Sequence, residues 1–202
     1  MNVLTFPNRL AMLKHFAPAD SIGAEIGVFR GDFAALILAH VKPRKLYLLD
    51  MWQTWADPDY AQKVAASNND LASSAARAGG PDTDPAEWLA IFQHLQTRFP
   101  PPTTELHRGI SWQLVAQLPC NSLDWVYIDA DHRYCACTRD LEASWLAVQP
   151  GGYIMGHDFC HRFPGVMQAV LEFAQIHAVQ WAGFTTEEYP SYALRRPPEP
   201  PT

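Results

Sequence analysis

Ile22-Gly23-Ala24-Glu25-Ile26-Gly27-Val28-Phe29-Arg30-Gly31 is the stretch on which the fold turns: a buried strand, a tight turn and the opening of a helix. A second apolar run, Lys45-Leu46-Tyr47-Leu48-Leu49, follows one crossover later and closes on Asp50. Such a βαβ unit is suited to hold a nucleoside, because glycines let the backbone approach a ligand and the carboxylate accepts two ribose hydroxyls. A turn glycine and a strand-end Asp also occur in doubly wound folds that bind no nucleoside, so both readings stand on this unit alone.

Outward from it the chain alternates. The pattern predicts an entry helix over 8–16 capped by Asn8, a strand over 21–26, a helix over 32–40 and a strand over 45–49. Next come a polar strand over 103–107, a helix over 112–117 and a strand over 123–128 ending at Asp129. A helix over 134–148 is broken by Gln149-Pro150-Gly151-Gly152 before a strand over 153–155. A helix over 166–177 leads to strands over 178–182 and 191–195. Strands alternating with helices mean an α/β, doubly wound, mainly parallel sheet with both faces covered. The short link between the last two strands predicts an antiparallel pair at an edge.

Residues 1–196 read as one domain, with a Pro-rich tail over 197–202 and an insertion over about 51–102. The insertion exceeds an ordinary crossover and leaves the ligand-binding edge of the sheet, which marks it as a lid or substrate-recognition element; an elaborated surface helix pair is the plainer alternative. It carries Trp52, Trp55, Tyr60, the turn Gly79-Gly80-Pro81 and Trp88, and a helix over 85–99 with Asp84 as cap and Pro85 at its first position. The aromatic residues suit a sugar or an aromatic ring, or simply a core.

Composition narrows the partners. With 202 residues, 48% hydrophobic and 18% charged, the chain is ordinary for a soluble protein. A net charge of −6 without any Lys/Arg run disfavours nucleic acid. Apolar runs are strand-length, so no membrane span is expected, and the start lacks an export pattern, which points to the cytoplasm. Cys120, Cys135, Cys137 and Cys160 lack zinc-site spacing and read as reduced thiols. An exposed apolar lid face would favour a homodimer.

Two further polar groups stand at strand ends: Asp129-Ala130-Asp131-His132-Arg133-Tyr134 and Gly156-His157-Asp158-Phe159. In an open parallel sheet these ends converge on one crevice. Their carboxylates and imidazoles suit a divalent cation or a general base. The plainer alternative is loop and cap residues with solvated histidines.

Taken together, Glu25-x-Gly27-x-x-x-Gly31, Asp50 and Asp129 resemble class I S-adenosylmethionine-dependent methyltransferases. The run Val126 through Tyr134, Asp140-Leu141-Glu142, Pro150-Gly151-Gly152, Gly156-His157-Asp158-Phe159 and Gly165-Val166 narrow the resemblance to the methyltransferase domain 24 group, related to macrocin-type sugar O-methyltransferases. It implies a seven-stranded Rossmann-like sheet with a reversed last strand and S-adenosylmethionine as cofactor. Glu25, Gly27, Phe29 and Gly31 would form the turn at the methionine portion. Asp50 would grip the ribose, Met51 and Trp52 would flank the adenine, and Gly109, Ile110 and Ser111 would line its pocket. Asp129 would lie near the cofactor's amino group and the substrate.

In metal-dependent relatives the strand-end Asp and an acidic or amide pair hold magnesium. The matching positions are Asp129, Asp158 and His157; the histidine departs from an all-oxygen set, which leaves a softer ion, or none, as alternatives. The activity implied is methyl transfer to a hydroxyl of a small molecule or sugar, with His132 or His157 as base beside Asp129. Two other classes remain: a methyltransferase fold that has lost activity and serves as a binding or scaffold protein, and an NAD-dependent oxidoreductase. The second would normally show G-x-G-x-x-G, which Glu-Ile-Gly-Val-Phe-Arg-Gly does not.

Overall fold

In the order of the chain, β1 (Leu4–Phe6) and α1 (Arg9–Phe16) precede the central unit of β2 (Ile22–Ile26), α2 (Asp32–His40) and β3 (Lys45–Asp50). The computed structural model describes residues 3–53 and 85–198. The chain continues through α3 (Pro85–Arg98), β4 (Thr104–Arg108), α4 (Ser111–Val115), β5 (Leu123–Ile128), α5 (Tyr134–Ala147) and β6 (Val148–Gly156). It closes with α6 (Pro164–Ile176), β7 (Gln180–Thr185) and β8 (Tyr192–Arg195). Trp55, Tyr60, Asp84 and the Gly79-Gly80-Pro81 turn, on which the lid expectation rests, lie outside the described residues.

One sheet results, in the order β1-β7-β8-β6-β5-β2-β3-β4. β2 pairs in parallel with both β3 and β5, and β5 in parallel with β6. The connections leave β2 in one direction and β5 in the other, so their carboxyl ends form the switch point where a ligand crevice opens.

Alternate side chains feed two cores. Ala24, Ile26, Leu49, Val126, Ile128 and Ile154 face one layer, covered by α5 and α6 through Leu141, Val170 and Phe173. Leu46, Leu48, Trp125, Tyr127 and Met155 face the other, covered by α1, α2 and α3 through Leu13, Ile37 and Leu95. Gly23 belongs to this second layer: a β-carbon there would fall 2.1 Å from the Trp125 ring, whose Nε1 donates to Ser21 Oγ at 2.9 Å. The glycine is the notch that admits the indole.

Three expectations change. The sheet has eight strands rather than seven, because the short, mostly exposed β1 adds itself in parallel to β7, Leu4 opposite Gly183. The last strand is reversed as expected. The β7–β8 pair is antiparallel but does not form an edge: β8 lies inside the sheet, antiparallel to β6 as well, and β1 holds the edge. Gln149-Pro150-Gly151-Gly152 does not precede β6 but is absorbed into it, at the cost of a register shift opposite Leu123 and Trp125. Among the described residues no helix is long and apolar enough to cross a membrane.

Candidate active site

The turn after β2 is held by Asp50. One carboxylate oxygen, Oδ2, accepts from the backbone N–H of Val28 at 2.7 Å and of Phe29 at 2.8 Å; Oδ1 accepts from Trp52 N at 2.9 Å. Burial raises the Asp50 pKa above its ordinary value even against these donors. Phe29 and Trp52 take left-handed backbone conformations, φ 51° and 41°, which curl both loops around the carboxylate. Gly109 N donates to the Asp50 carbonyl at 2.9 Å, tying the β4 loop to the same point, and Ser111 opens α4 just beyond. Asp50 thus closes β3 with its carboxylate ringed by the backbone donors of Val28, Phe29, Trp52 and Met51.

The turn glycines have reasons internal to the protein. Gly27 (φ 87°) comes so close to β5 that a β-carbon would sit 1.8 Å from the Asp129 carbonyl oxygen. Gly31 (φ 76°) begins α2 beneath α3, where a β-carbon would meet Leu95 and Phe99 at 2.7 Å. Both tighten the turn that the sequence assigned to cofactor approach. Trp52 departs from its expected place beside adenine: its indole is fully buried, packs on Phe92 at 4.9 Å between ring centres, and donates through Nε1 to the Phe29 carbonyl at 2.9 Å. It is a wedge under the turn. Met51 remains half-buried beside Asp50, its carbonyl accepting from Arg108 Nε at 3.3 Å. The half-exposed Phe29 ring meets the Trp88 ring edge-on at 5.8 Å, forming the outer wall of the turn.

Glu25 points from β2 into the second core layer and is 1% exposed. Its Oε2 has no hydrogen-bond partner among the described residues. Burial, and next the charge of Asp129, push its pKa well above the ordinary carboxylate range. A buried orphan acceptor beside a glycine turn suits a ligand that brings its own donor, such as an ammonium group.

Across the crevice, Asp129 and the His157-Asp158 pair meet. Asp158 is 7% exposed, at φ 62°, and its Oδ2 lies 2.6 Å from His132 Nε2 while Oδ1 lies 3.3 Å from His157 Nδ1. Burial alone would raise the Asp158 pKa, but the two imidazoles outweigh it and hold the carboxyl far below its usual range. Burial alone would lower His157, yet its hydrogen bond to Asp158 and the charges of Asp129 and Asp158 leave it raised. His132 stacks on Phe163 at 4.3 Å between ring centres. Asp131 is turned aside, its carboxylate bound to the backbone N and side chain of Arg133.

One contributor escaped the sequence. Arg9, the first residue of α1, crosses the Phe33 ring at 4.2 Å and donates through Nη1 to Asp129 Oδ2 at 2.8 Å. Its signal is a cation at a helix N-terminus, where the helix dipole disfavours it, so that its partner must lie elsewhere.

The metal expectation does not fit these contacts. Among the described residues, the group whose ligand atoms lie within 4.8 Å of one another is Asp129, His132 and Asp158, with His132 in place of His157. Asp129 is already bound by Arg9, and both Asp158 oxygens face imidazole nitrogens. The adjoining pocket is lined by Asp129, His132, Cys137, His157, Asp158 and Tyr192 among others, and its enclosed part, about 20 Å³, has room for one water.

The family model described as "Methyltransferase domain" (the methyltransferase domain 24 group) matches residues 24–159, from β2 to the loop after β6. No curated protein matches the chain by sequence. Among solved structures, the chain is similar to a precorrin-6y C5,15-methyltransferase from Geobacter metallireducens, at 12% identity and TM-score 0.57 over 91% of this chain and 83% of that one. It is similar to an N-methyltransferase from Bradyrhizobium japonicum, at 13% and 0.57 over 93% and 92%. A candidate methyltransferase from Streptococcus mutans in complex with SAH (S-adenosylhomocysteine) aligns at 10% and 0.57 over 92% and 94%. At these identities the structures speak for the fold alone, and the matched span contains the glycine turn, Asp50, Asp129 and Asp158. The chain belongs to the methyltransferase domain family and has the fold of the class I S-adenosylmethionine-dependent methyltransferases.

Proposed function

We propose that the protein methylates a hydroxyl oxygen of a small molecule or sugar, taking the methyl group from S-adenosylmethionine. The observation that carries this reading is the His132–Asp158 contact of 2.6 Å at the mouth of the crevice. A hydroxyl, unlike an amine, is a weak nucleophile until its proton is removed, so an oriented imidazole base beside the switch point favours oxygen as acceptor. Asp158 holds His132 Nε2, which leaves Nδ1 without a partner among the described residues to accept the proton. His157, kept cationic to higher pH by Asp158 and Asp129, is suited to orient the acceptor rather than to deprotonate it.

Bound S-adenosylmethionine supplies an electrophilic methyl on a sulfonium. The residues of this chain do the rest: Asp50 receives the ribose hydroxyls, Glu25 Oε2 accepts from the α-ammonium, and Met51, Gly109 and Ser111 border the base. With the cofactor bound, the acceptor oxygen would gain the methyl carbon as its bond to sulfur is given up, and His132 Nδ1 would take the hydroxyl proton. No step is routed through a divalent cation. Small acceptors, action in the cytoplasm and a homodimeric assembly accompany this reading.

Single-turnover transfer from radiolabelled S-adenosylmethionine to panels of hydroxyl, amine and carbon acceptors tests it. The reading expects label on oxygen and a rate in His132→Ala at least about 100-fold lower. Label on nitrogen or carbon, or a rate indifferent to His132 at neutral pH, contradicts it.

A further inference from the structure

We propose that the guanidinium of Arg9 is the resident cation of this site, standing at Asp129 in place of a divalent ion. The inference rests on reading the crevice as a methyl-transfer site, and it concerns how the charge of Asp129 is answered there.

Arg9 is positioned from both ends. At its base, Asn8 in extended conformation (φ −159°) accepts from Ala11 N at 2.9 Å and fixes the start of α1. At its tip, the guanidinium lies over Phe33, in the first turn of α2, and α2 is launched by the glycine turn itself. The turn that receives the cofactor therefore also places the cation. An arginine keeps its charge at every accessible pH and its planar fork suits a carboxylate, which a hydrated lysine would match less closely.

The remaining charges are answered within the protein. Asp158 faces His132 Nε2 at 2.6 Å and His157 Nδ1 at 3.3 Å, and His157 Nδ1 also lies 3.7 Å from Asp129 Oδ1. A dication held by Asp129 and Asp158 would compete with Arg9 for the first carboxylate and with the two imidazoles for the second, and would add like charge beside a guanidinium. Arg9 is accordingly a positioning residue that acts through Asp129, fixing that carboxylate toward the crevice.

Manganese(II) titrations followed by electron paramagnetic resonance test this without any turnover. Wild type and Arg9→Lys are expected to leave the free-ion signal intact at millimolar metal. Arg9→Gln should gain one site, at least about tenfold tighter than any in wild type, and the double variant Arg9→Gln/Asp129→Asn should lose it. Arg9→Met serves as the neutral variant if the Gln variant melts early. An Asp129-dependent manganese site in wild type overturns the proposal, and so do folded neutral variants as indifferent to the ion as wild type. S-adenosylhomocysteine binding by wild type, measured alongside, reports separately on the methyltransferase reading, since the manganese result does not depend on it.

Discussion

Gly27 carries two constraints at once, a left-handed backbone and a β-carbon position 1.8 Å from the Asp129 carbonyl. Gly27→Ala should therefore cost about 3 kcal/mol or more, read as a lower urea midpoint. Asp140, 1% exposed on α5, offers a test of opposite sign. Burial pushes its carboxyl from 3.8 up to about 7, with the Ser111 hydroxyl pulling the other way. A carboxyl raised on folding weakens the fold as pH climbs from the unfolded pKa to the folded one, and the full penalty, on the order of 4 kcal/mol, applies above it. Asp140→Asn should melt several degrees higher than wild type at pH 8 and close to it at pH 4; equal shifts at both would contradict the account. Asp50, Asp129, His132 and His157 are legible in the sequence because each follows an apolar strand, and strand ends gather at one edge. Arg9 is not, since its partner lies 120 residues away and nothing local marks it except a cation at the wrong end of a helix.

At the scale of elements, α1 does more than cover the sheet. Asn8→Ala removes the side chain that caps it and should cost about 1 kcal/mol, with faster amide exchange confined to the first turn of α1. The helices and the central parallel strands follow from apolar periodicity, which is strong where an element is buried on one or both faces. β1 left no such trace: three residues, mostly exposed, whose strand character comes only from pairing with β7. The interior position of β8 was likewise hidden, because a short link fixes that two strands are antiparallel but not which other neighbour each will take. Trp52 misled for a related reason. Next to a ribose-type carboxylate it reads as a ligand contact, yet α3 folds over it and makes it core.

At the scale of the molecule, the glycine turn, the Asp50 clamp and the orphaned Glu25 oxygen describe one half of a crevice, and the Asp129–His132–Asp158–His157 group the other. The central claim is that the first half receives S-adenosylmethionine. Calorimetric titration of S-adenosylhomocysteine into the purified protein, with NAD in parallel and Asp50→Ala as control, tests it most directly. The account predicts one site for S-adenosylhomocysteine, weakened at least about tenfold by Asp50→Ala, and none for NAD. Folded, ligand-free protein that binds neither nucleoside, or binds S-adenosylhomocysteine equally well without Asp50, would contradict it.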